Sequence, residues 1–166
     1  ADGFFQHNEE NIKKIAKVIR KYKPEIVLAN AVTDRHPDHG RASKLISDAC
    51  FYAGLVKIET RDDEGLIQSA WRPKAVYHYI QDRNLKADFV VDITQYLDKK
   101  IESIMAYSSQ FLDPESKEPE TPISSKAFID YMKAKNRAYG RDIGAEYAEA
   151  FTVERNMGVK NLFDLV

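Results

Sequence analysis

Apolar residues recur at helical spacing near the start of the chain. Ile12, Ile15, Ala16 and Ile19 stand at i, i+3, i+4 and i+7, behind an Asn8 cap and a first turn carrying Glu9 and Glu10. Pro24 ends that helix. The period then changes: residues 25–30 form a short, continuous, β-branched run of the kind found in strands buried on both faces of a parallel sheet. A polar loop follows, and after His36-Pro37-Asp38-His39 a second helical stripe runs through Ala42, Leu45, Ile46, Ala49 and Ala53, with Gly54 placed to stop it. Residues 56–71 show poor periodicity and many charges and read as a loop excursion. Residues 74–80 and 88–93 are strand-like, separated by a polar segment. Thr94 is placed to cap a helix with the stripe Leu97, Ile101, Ile104, Met105 and Ser108. An acidic, proline-punctuated loop from Asp113 to Pro122 separates it from a last helix that restarts at Ser124. That helix carries Phe128, Tyr131, Met132 and Lys135 on one side and ends at Gly140, before a compact tail over 144–151.

Strands alternating with helices predict an α/β fold with a largely parallel sheet. Only three strands are clear, fewer than such a sheet normally has, so an edge is expected to lack a partner. The opening Ala1-Asp2-Gly3-Phe4-Phe5 has no initiator Met and reads as a turn arriving from an earlier element. Both features predict that residues 1–166 are the C-terminal portion of a single domain whose first strands lie upstream.

With 43% apolar and 31% charged residues in 166, the chain is that of an ordinary globular protein with a real core. A formal charge of -1 provides no global attraction to nucleic acid or an anionic membrane. The longest apolar stretch falls far below the roughly 20 residues of a membrane span. The lone Cys50 cannot form an intramolecular disulfide, which suits a reducing, cytoplasmic setting. A small-molecule substrate is therefore expected, read from local chemistry, and an unpaired sheet edge favours a homo-oligomer.

That chemistry concentrates in residues 31–39. In open α/β sheets ligands bind beyond the carboxyl ends of strands, where this loop leaves its strand. His36 and His39 are separated by two residues, Pro37 stiffens the link, and Asp38 can start the helix while bonding an imidazole. A neutral imidazole serves as a metal ligand, whereas an imidazolium stabilises an oxyanion or protonates a leaving amine. A capped polar turn would show the same bare HxxH spacing.

The longer string Thr33-Asp34-Arg35-His36-Pro37-Asp38-His39-Gly40-Arg41-Ala42 resembles the second motif of the LmbE-like (PIG-L-type) zinc-dependent N-deacetylases. The resemblance extends to Ala106-Tyr107-Ser108-Ser109-Gln110-Phe111 and to residues 144–151, in family order and spacing. It implies a Rossmann-like, three-layer domain and removal of acetyl from an N-acetylglucosaminide. Members that act on N-acetylglucosaminyl malate in bacillithiol biosynthesis are the most similar. Carried over by position, it makes His39 a ligand of zinc, with ferrous iron as the other metal that accepts such ligands. It makes His36 the group that supports the tetrahedral intermediate or protonates the amine, and Asp38 the partner that tunes His36. Arg35 becomes a candidate contact for a substrate carboxylate, an ion pair with Asp34 being the alternative.

The family's earlier His-Pro-Asp-Asp string, source of the other ligands and the general base, does not occur in these 166 residues. A catalytic zinc takes about three protein ligands. The chain alone is therefore expected to be inactive without the missing N-terminal segment, and a non-catalytic module of the same fold is the alternative. His7 sits beside the Asn8 cap, and His78 alternates with apolar neighbours as a satisfied sheet residue would. Tyr147 and Glu149 fit packing or a subunit contact as well as substrate binding. Neither Phe128 nor Tyr131 takes a fixed role.

Overall fold

The computed structural model describes residues 3–107, 110–111 and 121–165. Ser108, Ser109 and most of the predicted acidic loop lie outside the described residues. The chain divides into two compact units, Ala1–Asp88 with Phe151–Asn161, and Phe89–Ala150 with Leu162–Val166.

In the first unit, α1 (Glu9–Tyr22) starts where the Asn8 carboxamide accepts the Asn11 N–H at 2.9 Å. It ends at Lys23, whose left-handed φ of 49° lets its N–H reach the Ile19 carbonyl at 2.7 Å just ahead of Pro24. After β1 (Ile26–Ala29), α2 (Pro37–Ala53) packs its small residues on α1, where Ala16, Ile19, Ala49, Cys50 and Ala53 form the core. Ile12, Val27, Ile46, Trp71 and Val76 close around that cluster. Arg20 is buried at 3% exposure yet fully used: it donates to the carbonyls of Ala53, Leu55 and Ile58 and to the Thr60 hydroxyl. The guanidinium thereby satisfies the carbonyls that leave the C-terminus of α2. Gly54 does stop α2, but in a right-handed conformation; a Cβ there would meet the Arg72 side chain at 2.4 Å, so close approach of Arg72 is what excludes a larger residue.

β2 (Ala75–Tyr79) runs parallel to β1, with Ala29 opposite His78. Residues 56–71 are the predicted excursion, held by an isolated bridge between Arg61 and Ile67. A fourth strand, β4 (Ala148–Val153), was not expected from the sequence, and its last three residues pair antiparallel with β2. With β3 at Phe89–Asp92, the strand order is β1-β2-β4-β3. The α/β class thus holds, with a mixed sheet of parallel and antiparallel pairs. β1 is the terminal strand of that order, and Ile26 and Leu28 are 54% and 57% exposed. Burial on both faces, predicted for this run, is therefore not met among the described residues.

The second unit holds β3 (Phe89–Asp92), α3 (Leu97–Met105), α4 (Lys126–Arg141) and the start of β4. Thr94 opens a 3-10 turn and not the α-helix itself, and its hydroxyl accepts the Tyr147 N–H at 3.2 Å. Met132 and Asn136 form the buried side of α4. Gly140, one residue before its end at Arg141, lies so near the next turn that a Cβ would stand 2.6 Å from the Ala145 carbonyl oxygen. Among the described residues no helix is long and apolar enough to cross a membrane.

Candidate functional site

The loop between β1 and α2 is where side-chain chemistry gathers. Asp34 is buried in it, and its carboxylate accepts the N–H of Arg83 at 2.8 Å and of Asp82 at 3.1 Å. The other oxygen stands 2.5 Å from His39 Nδ1. Burial by itself would raise the pKa of this carboxyl; the Arg83 N–H, His39 and the Arg35 N–H outweigh it and hold Asp34 below the ordinary carboxylate range. An ionised carboxylate only accepts, so the hydrogen of this contact belongs to His39 Nδ1. Nε2 of the half-buried ring is left as the atom able to bind a cation or accept a proton. This carboxylate-imidazole arrangement is the one that orients histidine ligands in metal sites.

His36 stands at the N-cap of α2 with Pro37 in the first turn. Its Nδ1 accepts the Asp38 N–H at 3.2 Å, which places the ring hydrogen on Nε2 when the ring is neutral. The two imidazoles lie side by side, ring centroids 5.6 Å apart and planes at 39°. They therefore present different faces: a free Nε2 lone pair on His39 and an Nε2–H donor on His36.

Asp38 reaches His36 through its backbone, not through the carboxylate contact that the resemblance implies. Its carboxylate is occupied by Arg41 Nη1 at 2.6 Å and the Gly3 N–H at 2.7 Å. Arg35 pairs with Asp82 at 2.7 Å through Nε, and not with Asp34, which faces inward. His7 meets Asp48 at 2.8 Å, away from any group of ligands. His78 is buried as a sheet residue with every ring nitrogen engaged. Glu149 pairs with Lys100, the Arg137 guanidinium lies over the Tyr147 ring, Phe128 stacks on Phe111, and the Lys135 ammonium lies over the Tyr131 ring, all within the second unit.

Asp34 is the site residue whose role was missed. It was visible only as a carboxylate two residues before His36, and its partners Asp82 and Arg83 are distant in sequence. Among the described residues no group of three or more His, Cys, Asp and Glu side chains could hold a metal. One histidine with its orienting carboxylate fits a single position of a zinc sphere, so the described donors alone do not fit the metal.

No protein-family model matches the chain. It is 29% identical over 152 residues to diacetylchitobiose deacetylase of Thermococcus kodakarensis, a match covering 89% of this chain and 52% of that protein. The chain thus spans about half the length of the curated relative it matches. Among solved structures it is similar to the conserved protein TT1542 of Thermus thermophilus, with a TM-score of 0.79, 28% identity and coverage of 96% of this chain and 66% of that one. N,N'-diacetylchitobiose deacetylase of Pyrococcus horikoshii, solved with its inhibitor MPG, gives a TM-score of 0.72 at 22% identity, covering 99% and 59%. GalB, the 4-carboxy-2-hydroxymuconate hydratase of Pseudomonas putida, gives 0.69 at 19%, covering 93% and 62%. These last two likenesses establish the fold, which serves both a deacetylase and a hydratase. The likeness to the Thermococcus protein supports a deacetylase family.

Proposed function

We propose that these residues contribute to a metal-dependent N-deacetylase that hydrolyses the acetamide of an N-acetylglucosaminide, with N-acetylglucosaminyl malate of bacillithiol biosynthesis as the substrate. The carrying observation is the Asp34-His39 pair, which fixes Nδ1–H and leaves Nε2 open beside the His36 ring. The similarity to a named diacetylchitobiose deacetylase supports the acetylated amino sugar as the substrate class.

In this reading His39 Nε2 would hold zinc, or ferrous iron, together with ligands from outside the described residues. Such a metal supplies Lewis acidity at the acetyl carbonyl when bound. His36 Nε2–H donates to the oxygen that gains charge as water adds to the acetyl carbon; a carboxylate from outside the described residues takes the proton of that water, and the nitrogen is protonated as the tetrahedral species collapses to acetate and free amine. The Asp38 N–H holds the His36 ring in the tautomer that makes this donation possible. Arg35, tied to Asp82 only through Nε, keeps its Nη nitrogens for a substrate carboxylate, to which a planar guanidinium binds in a bidentate manner.

The test uses the intact protein, loaded with zinc and supplied with N-acetylglucosaminyl malate or diacetylchitobiose. Acetate release is expected, and its absence with both substrates ends the catalytic reading. Metal content should fall in His39→Ala and persist in His36→Ala; equal metal content in both removes the split of roles. The second reading, a non-catalytic binding module, is favoured by the lack of a three-ligand group among the described residues, and the same acetate assay separates the two.

A further inference from the structure

Among the described residues His78 is the one large side chain buried to within 2% of complete exclusion, and it lies within a strand, outside the loop that carries the candidate site. Burying an imidazole costs free energy unless both nitrogens find partners. Here they do. Nδ1 is 2.9 Å from the Asn30 carbonyl oxygen and 2.9 Å from Ser43 Oγ, while Nε2 is 2.9 Å from Glu154 Oε1. A carbonyl only accepts, so Nδ1 is the donor of the first link.

The positions of these partners matter more than their number. Asn30 is the residue at which β1 gives way to the loop, and Ser43 lies one helical turn beyond His39 on the same side of α2. One ring nitrogen thus joins the two ends of the segment bearing Asp34, His36 and His39. The chain following β2 adds further ties: Gln81 Oε1 accepts from Asn30 Nδ2 at 3.2 Å, and the N–H groups of Asp82 and Arg83 hold the Asp34 carboxylate. β2 and its extension therefore grip the loop at its start, its middle and its end.

We propose that His78 is a positioning residue: by joining the Asn30 carbonyl to Ser43 it fixes the loop so that Asp34 can hold His39 in the Nδ1–H tautomer. The positional claim stands on geometry alone. Only its catalytic readout rests on the deacetylase reading.

The two nitrogens can be separated by substitution in the intact protein. In His78→Asn the Asn Nδ2 takes the place of Nδ1 and keeps a donor for Asn30, whereas in His78→Gln the amide reaches only the Nε2 position toward Glu154. Backbone hydrogen exchange at Asp82 and Arg83 reports the grip on Asp34, exchange along α1 reports stability in general, and 15N shifts of the His39 ring report its tautomer. In His78→Gln, exchange at Asp82 and Arg83 should rise roughly tenfold over any change in α1, with the Nδ1–H tautomer of His39 depleted. His78→Asn should restore both. Equal effects of the two variants, or a rise shared evenly with α1, overturn the proposal. Should His78→Gln fail to fold, Ser43→Ala removes the other end of the same link with little change of volume; local exchange should again rise, and no change there also overturns the proposal. In the acetate assay kcat should fall in His78→Gln with KM held and recover in His78→Asn. A wild-type protein that releases no acetate, yet shows the exchange pattern, retires the deacetylase reading and leaves the positioning role intact.

Discussion

Replacing Asp34 by Asn changes one atom of the candidate site and reverses its hydrogen-bond sense. The Asn carbonyl can keep both main-chain donors, Asp82 and Arg83, which now lie 3.1 and 2.8 Å from Oδ1. The amide nitrogen then takes the place of the oxygen 2.5 Å from His39 Nδ1. Two N–H donors cannot share that contact, so the His39 ring must move its hydrogen to Nε2, the atom that the wild-type ring leaves open. On the proposed metal-dependent reading, losing an orienting carboxylate of this kind costs about 10- to 100-fold in metal affinity or activity, equivalent to about 1.4 to 2.7 kcal/mol. Folding should change by only about 1 kcal/mol, since the main-chain bonds survive. The assay is 15N spectroscopy of the His39 ring in the intact protein, with metal affinity measured alongside. An Asp34→Asn protein whose His39 ring keeps the Nδ1–H tautomer would show that the Asp34 carboxylate does not set it. A pH arm follows from the same carboxyl. Its folded pKa is depressed, so its contribution to stability is full above the unfolded value of about 3.9 and is lost as pH falls through the lower folded value. In Asp34→Asn that acid-side loss should be absent.

Three further substitutions or probes test the scaffold. Arg20→Met strands the carbonyls of Ala53, Leu55 and Ile58 beneath α1 and should cost about 3 kcal/mol, a drop of roughly 6 to 12 °C in the melting temperature of the intact protein. Gly140→Ala drives a Cβ to 2.6 Å from the Ala145 oxygen and should cost about 1 to 3 kcal/mol by urea unfolding; a neutral effect would mean that the turn shifts freely. Burial, aided by the charge of Glu154, pushes the Cys50 thiol up to about 12, so a disulfide reagent at pH 8 should modify it only after unfolding.

The parts of the fold that could be read in advance are those whose signals are local. Asn8, the apolar stripe through Ile19 and Pro24 lie within one helix and its caps, and α1 matches them to within a residue or two. β4 escaped because Ala148, Ala150 and Phe151 face inward from a segment otherwise rich in Glu and Gly, and the pairing that makes it a strand is with β2, about seventy residues earlier. Thr94 was misread for a related reason. Its sequence position suits an N-cap, but its hydroxyl exchanges hydrogen bonds with the backbone of Tyr147, a partner about fifty residues away that no local pattern announces.

The candidate site divides along the same line. His36 and His39 are legible because a three-residue spacing at the start of a helix brings both rings to one place whatever the rest of the chain does. Their tautomers are not, because each is set by whatever donates or accepts at Nδ1. For His36 that partner is the Asp38 N–H, for His39 the Asp34 carboxylate, and Asp34 in turn depends on two N–H groups that follow β2. The motif therefore names the rings and sets the His36 tautomer locally, while the sheet register decides which nitrogen of His39 is free. A shift of one residue between β1 and β2 would move Asn30 away from His78 and carry Asp82 and Arg83 out of reach of Asp34, leaving the HPDH string intact and its chemistry undefined.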